Sequence, residues 1–340
     1  MGVLLRPVRP AAASAFPRGM APLVVRLVAF LALCALASAA QAQFPSRPIR
    51  VLIPQPPGGA NDTVARVIAP QLGERLGQPI IVENRPGANG NLAMEVVAKA
   101  APDGYTLLLG ADAQIVINPH FYPNLPFDTL KDLVPVASVV NTQMVLAVNP
   151  ALPVRNLQEF IDYARNAKPP LAYGSIGNGS QHHLVMEMLK QRAHIDLLHV
   201  PFKGGGPATM ALIAGEISAA FGGNSVTGPA RAGKLRALAV AGKQRSAAFP
   251  EVPRLAEFYP GFEVTPWLGL FAPAGLAPAV MGRLRDATNR ALAEPQTAER
   301  IRNVGGLEPY LSTPDEFAAL LRAEYAKYGE IVKAVGAKID

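Results

Sequence analysis

Arg50-Val-Leu-Ile-Pro-Gln-Pro-Pro-Gly-Gly-Ala-Asn-Asp-Thr-Val-Ala-Arg-Val-Ile-Ala-Pro-Gln-Leu72 changes its periodicity partway along. Arg50–Ile53 is a β-rich run that reads as a buried strand. Pro54–Gly59 can continue neither strand nor helix, and Val64, Val67, Ile68 and Leu72 then recur on one face of a helix expected over Asp62–Leu76. A strand that turns through a Gly-rich loop straight into a helix is the first half of a βαβ unit. The alternation continues with a strand at Ile80–Val82, a helix at Asn91–Lys99 and a strand at Tyr105–Leu109, closed by Gly110.

A second series begins at Met144-Val-Leu-Ala-Val148. Strands are expected at Ala172-Tyr173, Leu197–Val200, Ser218–Phe221 and Leu235–Val240, and helices at Leu157–Asn166, Gln181–Arg192 and Pro207–Ala214. One more strand, Trp267–Phe271, is followed by helices alone, at Ala277–Leu292, Pro295–Val304 and Pro314–Val335. Those late helices need a sheet, and the first three strands need cover. The chain is therefore expected to leave its first domain near residue 143 and return near 266. The expected class is α/β, with two hinged lobes, 44–143 plus 266–340 and 144–265, joined by two crossovers around a cleft.

The composition suits this plan. The chain has 340 residues, 50% hydrophobic and 17% charged, enough for two packed domains and too apolar for disorder. Its 33 Pro and 30 Gly are dispersed without period, which excludes a collagen-like chain. The net charge of +7 would suggest a polyanion partner, but residues 1–42 hold Arg6, Arg9, Arg18 and Arg26 and no acid. The apolar run Leu27–Ala37 and then Ala40-Gln-Ala42 complete the pattern of a secretory signal peptide cleaved after Ala42. Without those four arginines the charge falls to +3, and no basic cluster interleaved with aromatics remains, so nucleic acid is not an expected partner. Cys34 follows Leu33 inside the apolar run, where lipid attachment is not expected, and the mature chain has no cysteine for disulfide, thiol or metal chemistry. An exported, soluble monomer is expected.

In open α/β sheets, ligands bind beyond the carboxyl ends of the strands. The segments at those positions, Pro54–Asn61, Gly110–Gln114, Gly174–Ser180, Lys203–Gly206 and Gly222–Ser225, are rich in Gly and small polar residues. Several run into a helix, so free N–H groups face the same space and suit an anion such as a carboxylate. Reactive motifs are missing: there is no phosphate-cradling P-loop, Gly174–Gly179 departs from the dinucleotide fingerprint, and Gly223–Thr227 fails as a nucleophile elbow. His182 and His183 are adjacent and diverge on a helix, and His194 and His199 lack metal-ligand spacing. No cofactor and no metal are expected. Asp62 reads as a helix N-cap rather than a catalytic acid. A binding protein is favoured over a hydrolase or lyase on a similar scaffold.

Several segments in order carry a family resemblance: Phe44-Pro-Ser-Arg-Pro-Ile-Arg-Val-Leu-Ile-Pro54, Pro56-Pro-Gly-Gly-Ala-Asn-Asp62, Val82-Glu-Asn-Arg-Pro-Gly-Ala88, Val97-Ala-Lys-Ala-Ala-Pro-Asp-Gly-Tyr-Thr-Leu-Leu108, His199-Val-Pro-Phe-Lys-Gly204, Gly233-Lys-Leu-Arg-Ala-Leu-Ala239, Trp267 and Ala272-Pro-Ala-Gly275. Together they resemble the Bug (TctC-like) family of periplasmic solute receptors of the tripartite tricarboxylate transporter type. The resemblance implies a two-lobed, type II-like Venus-flytrap fold in the periplasm. It implies capture of a small carboxylated metabolite, an amino acid or other organic acid, for membrane transporter subunits; a sensor protein is the other partner a closed receptor could address. It also implies that main-chain groups of facing loops hold the carboxylate. Carried across, the first lobe offers Gln55, Gly58, Gly59, Asn61, Ala111 and Asp112. The second offers Ser175, Gly179, Ser180, Lys203, Gly204, Gly205 and Asn224.

Two of these stand apart chemically. Lys203 is the one cation in these loops, and a solvated charge is the expected role. Asp112 stands in Gly110-Ala-Asp-Ala-Gln-Ile-Val-Ile-Asn-Pro119, where relatives usually carry hydroxyls. Facing the cleft, its carboxylate would favour an ammonium or protonated ring nitrogen over a tricarboxylate, by roughly 1–4 kcal/mol at about 4 Å. Turned away, it would merely cap the next turn.

Overall fold

In the computed structural model, Ile49–Ile53 (β1) is buried at its centre because parallel neighbours flank it on both sides, Ile80–Asn84 (β2) and Thr106–Ala111 (β3). That position explains its continuous apolar run. The structure describes residues 44–246, 248–304 and 307–336; the expected signal peptide and Cys34 lie outside them. Arg47–Asp340 form one compact unit; of the other, Met1–Ser46, the described residues 44–46 carry no helix or strand.

Helix Ala60–Leu76 (α1) joins β1 to β2, and Asn91–Ala98 (α2) joins β2 to β3. After β3 come a π-turn over Ala113–Ile117 and the short helix Asn118–Phe121 (α3). The first sheet is completed by Leu133–Thr142 (β4), Trp267–Pro273 (β10) and Leu307–Pro309 (β11), in the order β11-β4-β10-β3-β1-β2. The second sheet has the order β7-β6-β8-β5-β9, built from Val145–Val148 (β5), Leu171–Ser175 (β6), Leu197–Pro201 (β7), Ala219–Gly222 (β8) and Arg236–Val240 (β9). Its helices are Leu157–Asn166 (α4), Gln181–Ala193 (α5), Gly205–Ala214 (α6) and Asn224–Arg231 (α7). Pro278–Ala293 (α8), Pro295–Asn303 (α9) and Pro314–Val335 (α10) follow β10. No described helix is long and apolar enough to cross a membrane.

Besides the π-turn and the short α3, β4, β11 and α7 differ from the sequence expectation. β4 lies outside it, because Pro135 interrupts its apolar run. Pro135 pairs with Phe271 where the β4–β10 register shifts, so its missing N–H falls at an irregularity the ladder already has. The chain after β10 is not helical throughout: β11 adds three residues to the edge of β4. Helix α7 also lies outside the expectation, its Gly223 start and Pro229 masking the pattern.

Among the described residues, two large apolar cores back the sheets, with two smaller clusters around Leu212 and Phe249. One large core gathers Leu52, Met94, Leu108, Trp267, Phe271, Phe317 and Tyr328; the other gathers Leu146, Phe160, Tyr173, Met186, Leu189 and Phe262. Gly269 lets α10 approach β10, since a Cβ there would stand 2.5 Å from Phe317 Cζ. Trp267 meets the same phenyl ring edge-on at 5.3 Å. Helix α5 is shared lengthwise: Leu184 packs in the first core while Val185, Met186 and Leu189 pack in the second.

Candidate functional site

The parallel pairing of β1, β2 and β3 brings the loops after them to one sheet edge, and the parallel pairing of β6, β7 and β8 does the same in the second sheet. The first edge carries Gln55, Gly58, Gly59, Asn61, Ala111 and Asp112; the second carries Ser175, Gly179, Ser180, Lys203, Gly204, Gly205 and Asn224. Thr142 and Gln143 cross from one edge to the other, between β4 and β5.

On the first edge, Gly58 supplies the one left-handed step of the turn, φ +84°, and donates its N–H to Asp62 Oδ2 at 2.9 Å. Gly59 is extended, φ −71° and ψ 167°, and is the N-cap of α1. The expectation that Asp62 caps is thereby corrected. The helix starts at Ala60, and Asp62 stands in its first turn with a carboxylate that reaches back to the loop and to Arg66 Nε at 3.0 Å. Burial raises the Asp62 pKa, yet the hydrogen bonds from Arg66, Gly58 and Asn84 outweigh it and hold the carboxyl below its ordinary value. Asn61 is buried, and its Nδ2 donates to Leu109 O at 3.0 Å, so its amide ties α1 to β3. Asn84 Nδ2 donates to Gln55 O at 3.0 Å.

On the second edge, Ser175 Oγ lies 2.7 Å from His199 Nε2 and also accepts the Gly177 N–H at 3.1 Å. Gly179 N donates to His183 Nδ1 at 3.1 Å, Ser180 Oγ donates to Gly177 O at 2.6 Å, and Ser180 caps α5 through the His183 N–H. His183 and His199 stack face to face, centroids 4.0 Å apart, with Tyr173 behind them. Burial, with His183 alongside, lowers the His199 pKa to about 4, so the imidazole is neutral at pH 7. The Ser175–His199 pair superficially matches a nucleophile and base, but among the described residues no carboxylate is bonded to the His199 ring. The pair serves to shape the loop. Gly204, φ +112°, caps α6, and a Cβ at Gly205 would lie 3.0 Å from Ser225 Oγ, beside Asn224 at the start of α7. Lys203 is exposed and unpaired among the described residues.

Asp112 is turned away from solvent, 3% exposed, and caps the π-turn by accepting the Ala113 N–H at 2.7 Å. Its Oδ2 accepts from Gln181 Nε2, which also donates to Tyr328 Oη at 2.9 Å. Burial, with Glu324 nearby, pushes its pKa well above the ordinary range, against the Ala113 and Gln181 hydrogen bonds and Lys327. Asp112 thus takes the capping role, the second of the two expected for it.

Sequence reading missed Asn84, Gln143, Gln181 and Tyr328. Gln143 Oε1 and His182 Nδ1 are buried without a hydrogen-bond partner among the described residues. The Gln143 amide lies against Gly242, where a Cβ would come within 2.2 Å of Oε1. Its position at the crossing between sheets was the available signal. A groove of about 560 Å³ lined by Gly58, Ala60, Thr63, Val67, Arg300, Asn303 and Val304 opens beside α1 and α9 and shares Gly58 and Ala60 with these loops.

Two sheets of this order, with glycine-rich loops gathered at their parallel edges, define a periplasmic binding-protein fold. Residues 64–337 match the tripartite tricarboxylate transporter family receptor model. The chain is 38% identical over 318 residues to a UPF0065 protein of Bordetella pertussis, covering 92% of this chain and 97% of that one. It is 36% identical over 314 residues to Protein BugT of the same organism, covering 91% and 96%. Among solved structures, it resembles an R. palustris protein with adipate (30% identity, TM-score 0.77, 87% and 99% covered) and MatC from Rhodopseudomonas palustris with bound malate (33%, 0.73, 85% and 100%). The chain belongs to the tripartite tricarboxylate transporter receptor family.

Proposed function

We propose that this receptor binds a small organic acid between lobes 44–143 plus 266–340 and 144–265, and passes it unchanged to membrane transporter subunits. The observation that carries the ligand class is the fold it shares with relatives solved with adipate and with malate. The chain's own loops support it. They present main-chain N–H groups and one unpaired lysine, a set suited to a carboxylate held by several charge-assisted hydrogen bonds of roughly 1.5–3 kcal/mol each. Dicarboxylates are the first candidates, because those two relatives were solved with them. Export to the periplasm as a monomer, after cleavage behind Ala42, completes the reading. A thermal-shift screen of mono-, di- and tricarboxylates and amino acids tests it: the account expects stabilisation by dicarboxylates. Stabilisation confined to amino acids would refute the ligand class, and no stabilisation by any acid would refute the receptor reading.

A further inference from the structure

We propose that Gln181 is a latch between the two sheet-bearing halves, holding the start of α5, and with it the Ser175–Ser180 loop, by bonding at once to Asp112 and Tyr328. Gln181 is the first residue of α5, immediately after the Ser180 cap, and is 5% exposed. An amide Nε2 has two hydrogens. One goes to Asp112 Oδ2 and the other to Tyr328 Oη. Both acceptors belong to the first sheet's half: Asp112 directly follows β3, and Tyr328 is fully buried on α10. Leu184, one turn further along α5, packs in the first core beside Tyr328. Gln181 and Leu184 thus form the face that α5 turns to the first half, while its other apolar face stays in the second core.

The acceptors depend on this amide. The second Asp112 oxygen is taken by the Ala113 N–H, and among the described residues no cation is bonded to the carboxylate. Lys327, the ammonium nearby, donates to Glu263 O, and the neighbouring Glu324 accepts from Trp267 Nε1 at 2.6 Å. Removing the amide leaves a buried carboxylate with one donor fewer, which favours any state in which α5 withdraws and water reaches Asp112. The Ser175–Ser180 loop would move with it, because Gly179 and Ser180 are bonded to His183 of the same helix. The latch rests on the functional reading above only where that loop is taken as half of the ligand site.

The test compares wild type with Gln181→Leu, Asp112→Asn, Tyr328→Phe and the exchange Asp112→Asn with Gln181→Glu, in which one donor again meets one acceptor. Far-ultraviolet circular dichroism checks that each folds. Calorimetric titration with adipate and malate should show at least tenfold weaker binding for Gln181→Leu and Asp112→Asn, a smaller loss for Tyr328→Phe, and recovery by the exchange to within about threefold. Without ligand, small-angle scattering should give a larger radius for the first two variants and a wild-type radius for the exchange. Wild-type affinities and radii in the single variants would overturn the latch, as would an exchange no better than the worse single change. If no acid of the thermal-shift screen binds wild type, the functional reading fails, and the ligand-free radii alone decide the latch: equal radii overturn it.

Discussion

Gly59 has ordinary extended backbone, so its lack of a side chain matters for space rather than for strain: a Cβ would stand 2.8 Å from Gln55 Oε1. That oxygen ends a flexible side chain, and the fold can absorb the displacement. Gly59→Val should therefore leave the melting temperature within about 2 °C of wild type while weakening adipate or malate binding at least tenfold. Calorimetry and a melting curve on the same sample check both halves. At His199 the fold lowers the pKa from 6.5 to about 4, so the unfolded chain binds more protons between those values. Stability is thus fully present above pH 6.5 and declines as the pH falls toward 4. A series of melting curves across that window should show the decline, and His199→Gln should make it shallower without abolishing it, because burial also lowers His182 from 6.5 to about 4. Which residues gather at strand ends was legible from their spacing. The direction of Asp112 was not, because its partner Gln181 is 69 positions away in the chain.

Helix α1 illustrates what an element's sequence shows and what it withholds. Its apolar face, Val64, Ile68 and Leu72, is buried as the periodicity requires. Its start lies two residues earlier than expected, because the Asp62 side chain satisfies the Gly58 N–H from within the first turn. Asp62→Ala removes that bond and the Arg66 pair together, and should cost about 1–2 kcal/mol in a urea unfolding experiment. A variant as stable as wild type would show that water replaces both bonds freely. Strands with plain apolar runs, such as β1 and β10, were readable from the sequence. β4 was not, since a proline inside a strand is acceptable only where the partner's register slips, a fact of β10 and not of β4. Three-residue β11 is too short to carry a period.

For the whole molecule, two α/β series in the sequence correspond to two sheets, one with strands from Ile49–Thr142 and Trp267–Pro309, the other from Val145–Val240. Chain crossings at Gln143 and near Pro266 are where a hinge between the proposed lobes would lie. Small-angle scattering with saturating malate or adipate should then show a smaller radius of gyration than without; an unchanged radius would count against a large closure. The family was legible because its segments recur in order along the chain, whereas the ligand was not, since main-chain N–H groups have no residue signature. The most direct measurement is calorimetric titration of the purified receptor with adipate and malate, followed by chromatography of the mixture. The account predicts saturable one-to-one binding of at least one of these acids, with the acid recovered unchanged. No binding by either, or a new product in the eluate, would contradict it.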